Sequence, residues 1–285
     1  MTTLSPEPAE PGPSAATPAA AIALAAAARQ RQVAESFGAD AGRYDRARPG
    51  YPAAMVDRIV AESPGRDVVD AGCGTGISSR LFQAAGCRVL GVEPDPRMAE
   101  QARQGGTEVE IAKFEDWDPA GRAFAAVVAA QAWHWVDLLA GAAKAAEALR
   151  PGGRLAVLWN AFDPPRELRE AFGQVYRRAV PDSPLSGFWA RPALDTYRAG
   201  GTRAADGMHQ AGGFGEPEEW LADWARPYTR DEWLDLVPTL GGFGQFPPDA
   251  QAELLSGLGA AVDAAGGAFL MRYTTLAVTA IRLAP

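Results

Sequence analysis

Val68-Val69-Asp70-Ala71-Gly72-Cys73-Gly74-Thr75-Gly76 is the stretch on which the fold turns. A β-branched apolar run ends in an acid, and glycines follow at every second position. A helix-compatible segment, Ile77–Ala85, comes next. Glycine tolerates positive φ and lets a ligand approach the main chain closely. A helix N-terminus adds free N–H groups and the positive end of its dipole. A strand, loop and helix in this order make a nucleotide-type site at the carboxyl edge of a parallel sheet. An ordinary βα turn needs one glycine; alternating glycines behind an acid exceed that need.

The same texture repeats outward from this loop. Apolar β-rich runs at Asp67–Ala71, Arg88–Glu93, Glu108–Ala112, Phe124–Ala130 and Arg154–Asn160 alternate with helix-compatible Ile77–Ala85, Pro96–Arg103 and Leu138–Leu149. This rhythm predicts an α/β fold, a parallel doubly wound sheet with helices on both faces. Gly152–Gly153 reads as a turn before the fifth strand. Upstream, Pro52–Val60 reads as a helix, and Tyr44 to Tyr51 as a polar aromatic loop.

Beyond Asn160 the rhythm breaks. Glu167–Val180 reads as a helix and Pro181–Gly215 as an insertion with short helices. Glu219–Trp224 reads as a strand, and Thr229–Leu236 as a helix with Thr229 and Glu232 at capping-box spacing. Pro248–Ala264 reads as a helix and Phe269–Ile281 as a last strand. The expected organisation is a disordered Ala/Pro-rich tail (1–28) and one domain (29–285). Within that domain lie an N-terminal lid and helix (36–66), a core (67–160) and a C-terminal part (161–285).

Composition narrows the function. The chain of 285 residues carries a net charge of -8, which repels phosphate backbones and anionic lipid surfaces. Nucleic acid and membrane are therefore not expected as partners. Two cysteines and two histidines exclude a disulfide scaffold and a Cys- or His-rich metal centre. The Ala15–Ala28 run follows an acidic segment and is broken by Pro18, unlike a secretory signal. A cytoplasmic protein with reduced thiols is expected.

The glycine loop also discriminates between ligands. A dinucleotide fingerprint places a third glycine where this chain has Ile77, and a pyrophosphate beside Asp70 is repelled. A cationic amino-acid group is favoured there, which points to S-adenosylmethionine. Glu93 ends the second strand about 20 residues past the first loop glycine, at ribose-binding spacing. Met98, one turn into the next helix, can cover an adenine face.

With these residues in hand, the chain from about Ser36 to Asn160 resembles the class I S-adenosylmethionine-dependent methyltransferases, in their small-molecule branch with a type 11-like domain. The resemblance implies seven strands in the order 3-2-1-4-5-7-6, the last antiparallel. It implies that Asp70, Gly72, Gly74 and Gly76 carry the methionine part of the cofactor and that Glu93 and Pro94 flank the ribose. Phe114 and Glu115 frame adenine beside Met98, and Gln131 ends the fourth strand between cofactor and acceptor. Tyr44, Arg48, Trp133 and Trp135 line the acceptor site, where Arg48 can pair with a carboxylate. His134 is the candidate general base. The implied activity is methyl transfer to a small-molecule acceptor by a monomer or weak homodimer, with no metal. A binding protein of the same fold and an NAD-linked dehydrogenase are the alternatives. Cys73 reads as a buried small side chain, and Trp189, Trp220, Trp224 and Trp233 as packing residues.

Overall fold

The computed structural model describes residues 32–34, 36–183 and 185–284, so the reading of residues 1–28 as a tail lies outside the described residues. Its seven strands form one sheet: β1 (Asp67–Ala71), β2 (Arg88–Val92), β3 (Glu108–Glu110), β4 (Phe124–Ala130), β5 (Leu149–Asp163), β6 (Glu218–Thr229) and β7 (Ala268–Ile281). The spatial order is 3-2-1-4-5-7-6. Strands β1 to β5 run parallel, and β7 is antiparallel to both β5 and β6, as the resemblance implied. The helices are α1 (Ala41–Ala47), α2 (Ala53–Ala61), α3 (Ile77–Ala84), α4 (Pro96–Gln104), α5 (Leu138–Ala148), α6 (Arg166–Ala179), α7 (Leu185–Phe188), α8 (Ala193–Ala211), α9 (Arg230–Leu236) and α10 (Pro248–Ala264).

Period-two alternation assigns the strand residues to two cores. Val69, Val127, Leu155 and Val157 face one side, packed with Ala142 and Ala145 of α5 and Ala204 and Met208 of α8. Val68, Ala126, Val128 and Leu158 face the other, against Met55, Val56 and Ile59 of α2 and Phe82 of α3. Burying each Val, Leu, Ile, Phe or Met side chain among these contributes roughly 1.5–3 kcal/mol, and each alanine methyl less.

Strands β5, β7 and β6 have 15, 14 and 12 residues where β1 and β2 have five each. The surplus carries them past the carboxyl ends of β1 and β4, through pairs such as Phe162↔Tyr273 and Tyr228↔Phe269. On this extension α6, α9 and α10 build a third core of Phe172, Trp233, Leu254 and Leu258. A second wall therefore rises above the sheet edge where the glycine loop lies.

Four local expectations change. The 181–215 region is not an insertion of short helices; it contains the 19-residue α8, which packs on the sheet. Its glycines hid it, and they have a packing cause: a Cβ on Gly207 would stand 2.8 Å from the Leu138 carbonyl oxygen. The first half of the Tyr44–Tyr51 loop belongs to α1, capped by Asp40, which accepts from the Arg43 N–H at 2.9 Å. Arg43 and Arg46 both pair with Asp235 of α9. The Gly152–Gly153 turn lies inside β5, held to β7's end by Gly152 donating to Arg282 and Arg282 donating to Gly153. β6 runs on through Pro227 to Thr229, because an edge strand tolerates a residue with no N–H. Thr229 and Glu232 do form a reciprocal capping box. No helix among the described residues is long and apolar enough to cross a membrane.

Candidate functional site

A cavity of about 1550 Å³ opens at the carboxyl edge of the sheet, between the loops after β1, β2 and β4 and the strand extension. Ligand sites in open α/β sheets lie at this edge, outside the strand ends. Of the residues singled out in sequence, Gly72, Gly74, Glu93, Pro94, Met98, Phe114, Glu115 and Gln131 line it, and so do Tyr44, Arg48, Trp133, His134 and Trp135. Asp70 and Gly76 lie behind that wall.

The glycine loop is built as its sequence demands. Gly72, Gly74 and Gly76 take φ of +67°, +56° and +83°. Gly72 donates to the Val92 carbonyl at 2.8 Å, tying the ends of β1 and β2 together. A Cβ on Gly72 would also lie 2.6 Å from the Cβ of Ala132, so the loop after β4 packs directly on it. Asp70 is fully buried, and its Oδ2 accepts from the hydroxyls of Ser78 at 2.6 Å and Ser79 at 2.7 Å. Burial raises its pKa, and these hydroxyls oppose the rise. Asp70 thus fastens the first turn of α3 to β1, behind the loop. In front of it Thr75, 1 % exposed, faces the cavity, and its Oγ1 has no hydrogen-bond partner.

Glu93 stands at the centre of this wall. One carboxylate oxygen accepts from the Gly74 N–H and the other from the Asp95 N–H, each at 2.9 Å. It therefore joins the loops after β1 and β2, and each oxygen keeps a lone pair for the cavity. Burial pushes its pKa from 4.5 up to about 7, the two N–H groups pull it down, and Asp95 and Asp70 add to the rise. Met98 lies beneath Gly74, while Phe114 stacks on Trp117 with centroids 6.0 Å apart and meets Trp133 at 6.1 Å.

The loop after β4 begins with Gln131 at φ +56°, a left-handed conformation that costs a residue with a Cβ. Its N–H donates to the Leu158 carbonyl at 2.8 Å, and its side-chain amide donates to the Asn160 carbonyl at 3.4 Å. Trp133–Trp135 forms one 3-10 turn, after which Asp137 caps α5 through the N–H groups of Leu139 and Ala140. His134 points into the open cavity, so its ring surface is accessible although protein surrounds the space. Those enclosing walls, with the positive charges of Arg48 and Arg203, hold its pKa down from 6.5 to about 4. It is neutral at pH 7.

A second, aromatic half of the cavity was not read from sequence as part of a site. Phe162 of β5, Phe188 at the end of α7 and Trp189 just beyond it form a cluster with centroids 5.4 to 5.8 Å apart. Tyr176, Trp233 and Tyr273 close it. Trp189 and Trp233 thus pack as expected and also line the cavity, whereas Trp220 lies in the core under α2. Thr196, Tyr197, Gly200 and Arg203 of α8 form another wall at positions i, i+1, i+4 and i+7, one helix face. That spacing was legible once the segment is taken as a helix. The segment from Phe37 to Tyr51 covers the opening, with Phe37 against Tyr44 at 5.6 Å and Trp135 at 5.9 Å. Asn160 holds it down by donating to the Gly50 carbonyl at 2.9 Å.

With this geometry established, comparison with known proteins is informative. Residues 68–153 match the family described as "methyltransferase domain". An uncharacterized methyltransferase of Mycobacterium tuberculosis is 37% identical over 51% of this chain and 62% of its own length, so the match spans less than two thirds of that relative. A malonyl-[acyl-carrier protein] O-methyltransferase of Enterobacter lignolyticus is 33% identical over 60% of this chain and 68% of its own. Among solved structures, one from Anaeromyxobacter dehalogenans, described as a type II methyltransferase, superposes with a TM-score of 0.61. It covers 84% of this chain and 99% of its own at 23% identity, a likeness of fold.

Proposed function

Because the chain belongs to the class I methyltransferases, we propose that it binds S-adenosylmethionine and transfers its methyl group to a small organic acceptor. The observation that carries this reading is Glu93. Its carboxylate is anchored on both sides by backbone N–H groups, faces the cavity, and sits against a glycine loop that reaches the same space. A carboxylate so fixed accepts a pair of vicinal hydroxyls, as on a ribose. Asp95 and Glu115 line the cavity with it, Asp95 paired to Arg97, and the carboxylate of Glu93 itself disfavours a pyrophosphate at that position.

In this reading the backbone of Gly72 and Gly74 and the unpartnered hydroxyl of Thr75 take the amino-acid end. Met98, Pro94 and Phe114 enclose the adenine, with Glu115 at its edge. Asp70 and Gly76 act from behind: Asp70 fixes the start of α3, and Gly76 permits its left-handed entry. They are positioning residues, not contacts. When bound, S-adenosylmethionine supplies a methyl group on a sulfonium that is already a good leaving group. The chain then contributes alignment and exclusion of water. Gln131, Trp133 and Trp135 separate the two halves of the cavity, and the Phe37–Tyr51 cover keeps water out. His134, neutral at pH 7, accepts a hydrogen bond or proton from an acceptor hydroxyl or amine. With a pKa near 4 it is a weak base, so orientation is its larger part.

Calorimetry with S-adenosylmethionine, S-adenosylhomocysteine and NAD tests the binding. Transfer of tritiated methyl into a metabolite extract tests the chemistry. Binding of both sulfur compounds and incorporation of label are expected; tight NAD binding without either overturns the reading.

A further inference from the structure

We infer that the methyl acceptor is a small organic carboxylate, its carboxylate gripped by Arg48 and Arg203 and its apolar body seated among Trp159, Phe162 and Trp189. This rests on the proposed methyl transfer and names the substrate class of the same cavity.

Three arginines line the cavity: Arg48, Arg97 and Arg203. Arg97 is spoken for, because its guanidinium pairs with Asp95 at 2.7 Å. Arg48 and Arg203 enter none of the ion pairs among the described residues. A shortage of acids does not explain this in a chain of net charge -8. Arg48 is held firmly without being neutralised. It follows α1, its N–H donates to the Tyr44 carbonyl at 3.0 Å, and its guanidinium lies 4.9 Å from the Tyr44 ring centroid. One guanidinium nitrogen donates to the neutral Thr239 carbonyl. Its Nε is buried with no hydrogen-bond partner. A cation enclosed by aromatic walls with an unused donor is costly unless an anion completes it.

Arg203 approaches from α8, on the helix face that carries Tyr197 and Gly200. His134, in the loop after β4, lines the same cavity as both arginines, and their charges lower its pKa. Near the glycine loop the cavity is lined by Glu93, Asp95 and Glu115 together with Arg97 and Lys113, and Asp137 borders it beside His134. The arginine fork matches a carboxylate and fixes its orientation. A planar carboxylate matches the guanidinium fork, and Asp137, bordering the cavity beside His134, adds a repulsion that grows with the ligand's charge and so favours a monoanion over a phosphate ester. Beyond the arginines the wall is aromatic, so the rest of the acceptor is apolar or aromatic.

Matched pairs of probes test this: phenylacetate, 4-hydroxybenzoate and octanoate, each against its neutral amide, with phenyl phosphate as the dianion. Calorimetry is run on the full chain, first with S-adenosylhomocysteine and then on the loaded protein. At least one acid is expected to bind ten-fold or more tighter than its amide and tighter than phenyl phosphate. Arg48→Gln should erase that preference, and Arg48→Lys should keep part of it. Both should leave S-adenosylhomocysteine affinity within about two-fold. Arg203→Gln, at an exposed position, should weaken the acid several-fold and serves if Arg48→Gln does not fold. Acids that bind no better than their amides, phenyl phosphate that binds tighter, or indifference to both arginine variants overturns the inference. Failure of S-adenosylhomocysteine to bind in the first titration overturns the methyl-transfer reading instead, so the two failures are separable.

Discussion

Between pH 8 and pH 6 the affinity for S-adenosylhomocysteine should fall about ten-fold, since Glu93 must be ionised to accept two ribose hydroxyls. The size follows from the structure. Glu93 in the unliganded protein titrates at about 7, because burial outweighs the two backbone N–H groups that hold its oxygens. Only about a tenth of the molecules are ionised there at pH 6, against about nine tenths at pH 8. Cofactor binding at pH 6 should therefore release close to one proton, and at pH 8 about a tenth of one. Calorimetry in buffers of different ionisation enthalpy reads this number directly. The same group has a consequence for stability. Its folded pKa lies above the unfolded 4.5, so the folded state holds more protons in between. Its contribution is complete below about pH 4.5 and is lost as pH rises through 7, about 3 kcal/mol in all. Saturating ligand should remove most of that slope. Glu93→Ala should weaken binding roughly 10- to 100-fold and abolish the proton release. Affinity that does not change from pH 6 to 8, with no proton released, would refute the assignment of Glu93.

His134→Ala should lower turnover while leaving cofactor affinity nearly unchanged; because His134 is neutral above about pH 5, neither parent nor variant should show a histidine step between pH 6 and 8. A parent step near 6.5 that vanishes in the variant would show that the imidazole is charged in the working range. Cys73 and Cys87 are both buried and their thiols are pushed up by burial, so the native protein should react with a disulfide reagent only on unfolding. Rapid native-state labelling of Cys73 would mean that the glycine loop opens. Gly207→Val should cost about 1–3 kcal/mol by driving α8 off the Leu138 carbonyl, seen as a lowered melting temperature. An unchanged melting temperature would mean that α8 is not packed as described.

The cofactor half of the site was legible because its residues are contiguous with strands. Gly72, Gly74, Glu93, Phe114 and Gln131 each sit at or just beyond the carboxyl end of a strand, and parallel strands bring those ends to one edge. Strand order, by contrast, came from the family resemblance, since the alternating pattern specifies a parallel sheet without ranking its strands. Asp70 was read as facing the ligand, although period two already puts it on the face of Val68, under α3, where Ser78 and Ser79 meet it. The arginine and aromatic half was hidden for two reasons. Glycines needed for close packing disguised α8, and with it Tyr197 and Arg203. The depth of the pocket depends on how far β5 and β7 run past Asn160, which tertiary pairing sets: Phe162 reaches Tyr273 only through that ladder.

This division has a physical consequence for how the molecule is tuned. The cofactor wall is fixed by sheet register, so a change in Gly72 or Glu93 acts on several strands at once through Val92, Asp95 and Ala132. The acceptor wall is assembled from side chains of separate elements: Arg48 behind α1, Arg203 on α8, and Trp189 beyond α7 packed against Phe162 of β5. Substitutions among sites that share no contacts add nearly independently. Acceptor choice can therefore change through Arg48, Arg203 or the aromatic lining without disturbing Glu93 and the loop it anchors. A cation placed by the arginines or a carboxylate placed beside Glu93 meets like charge, so the wrong occupant of each half is excluded by repulsion as well as by poor fit.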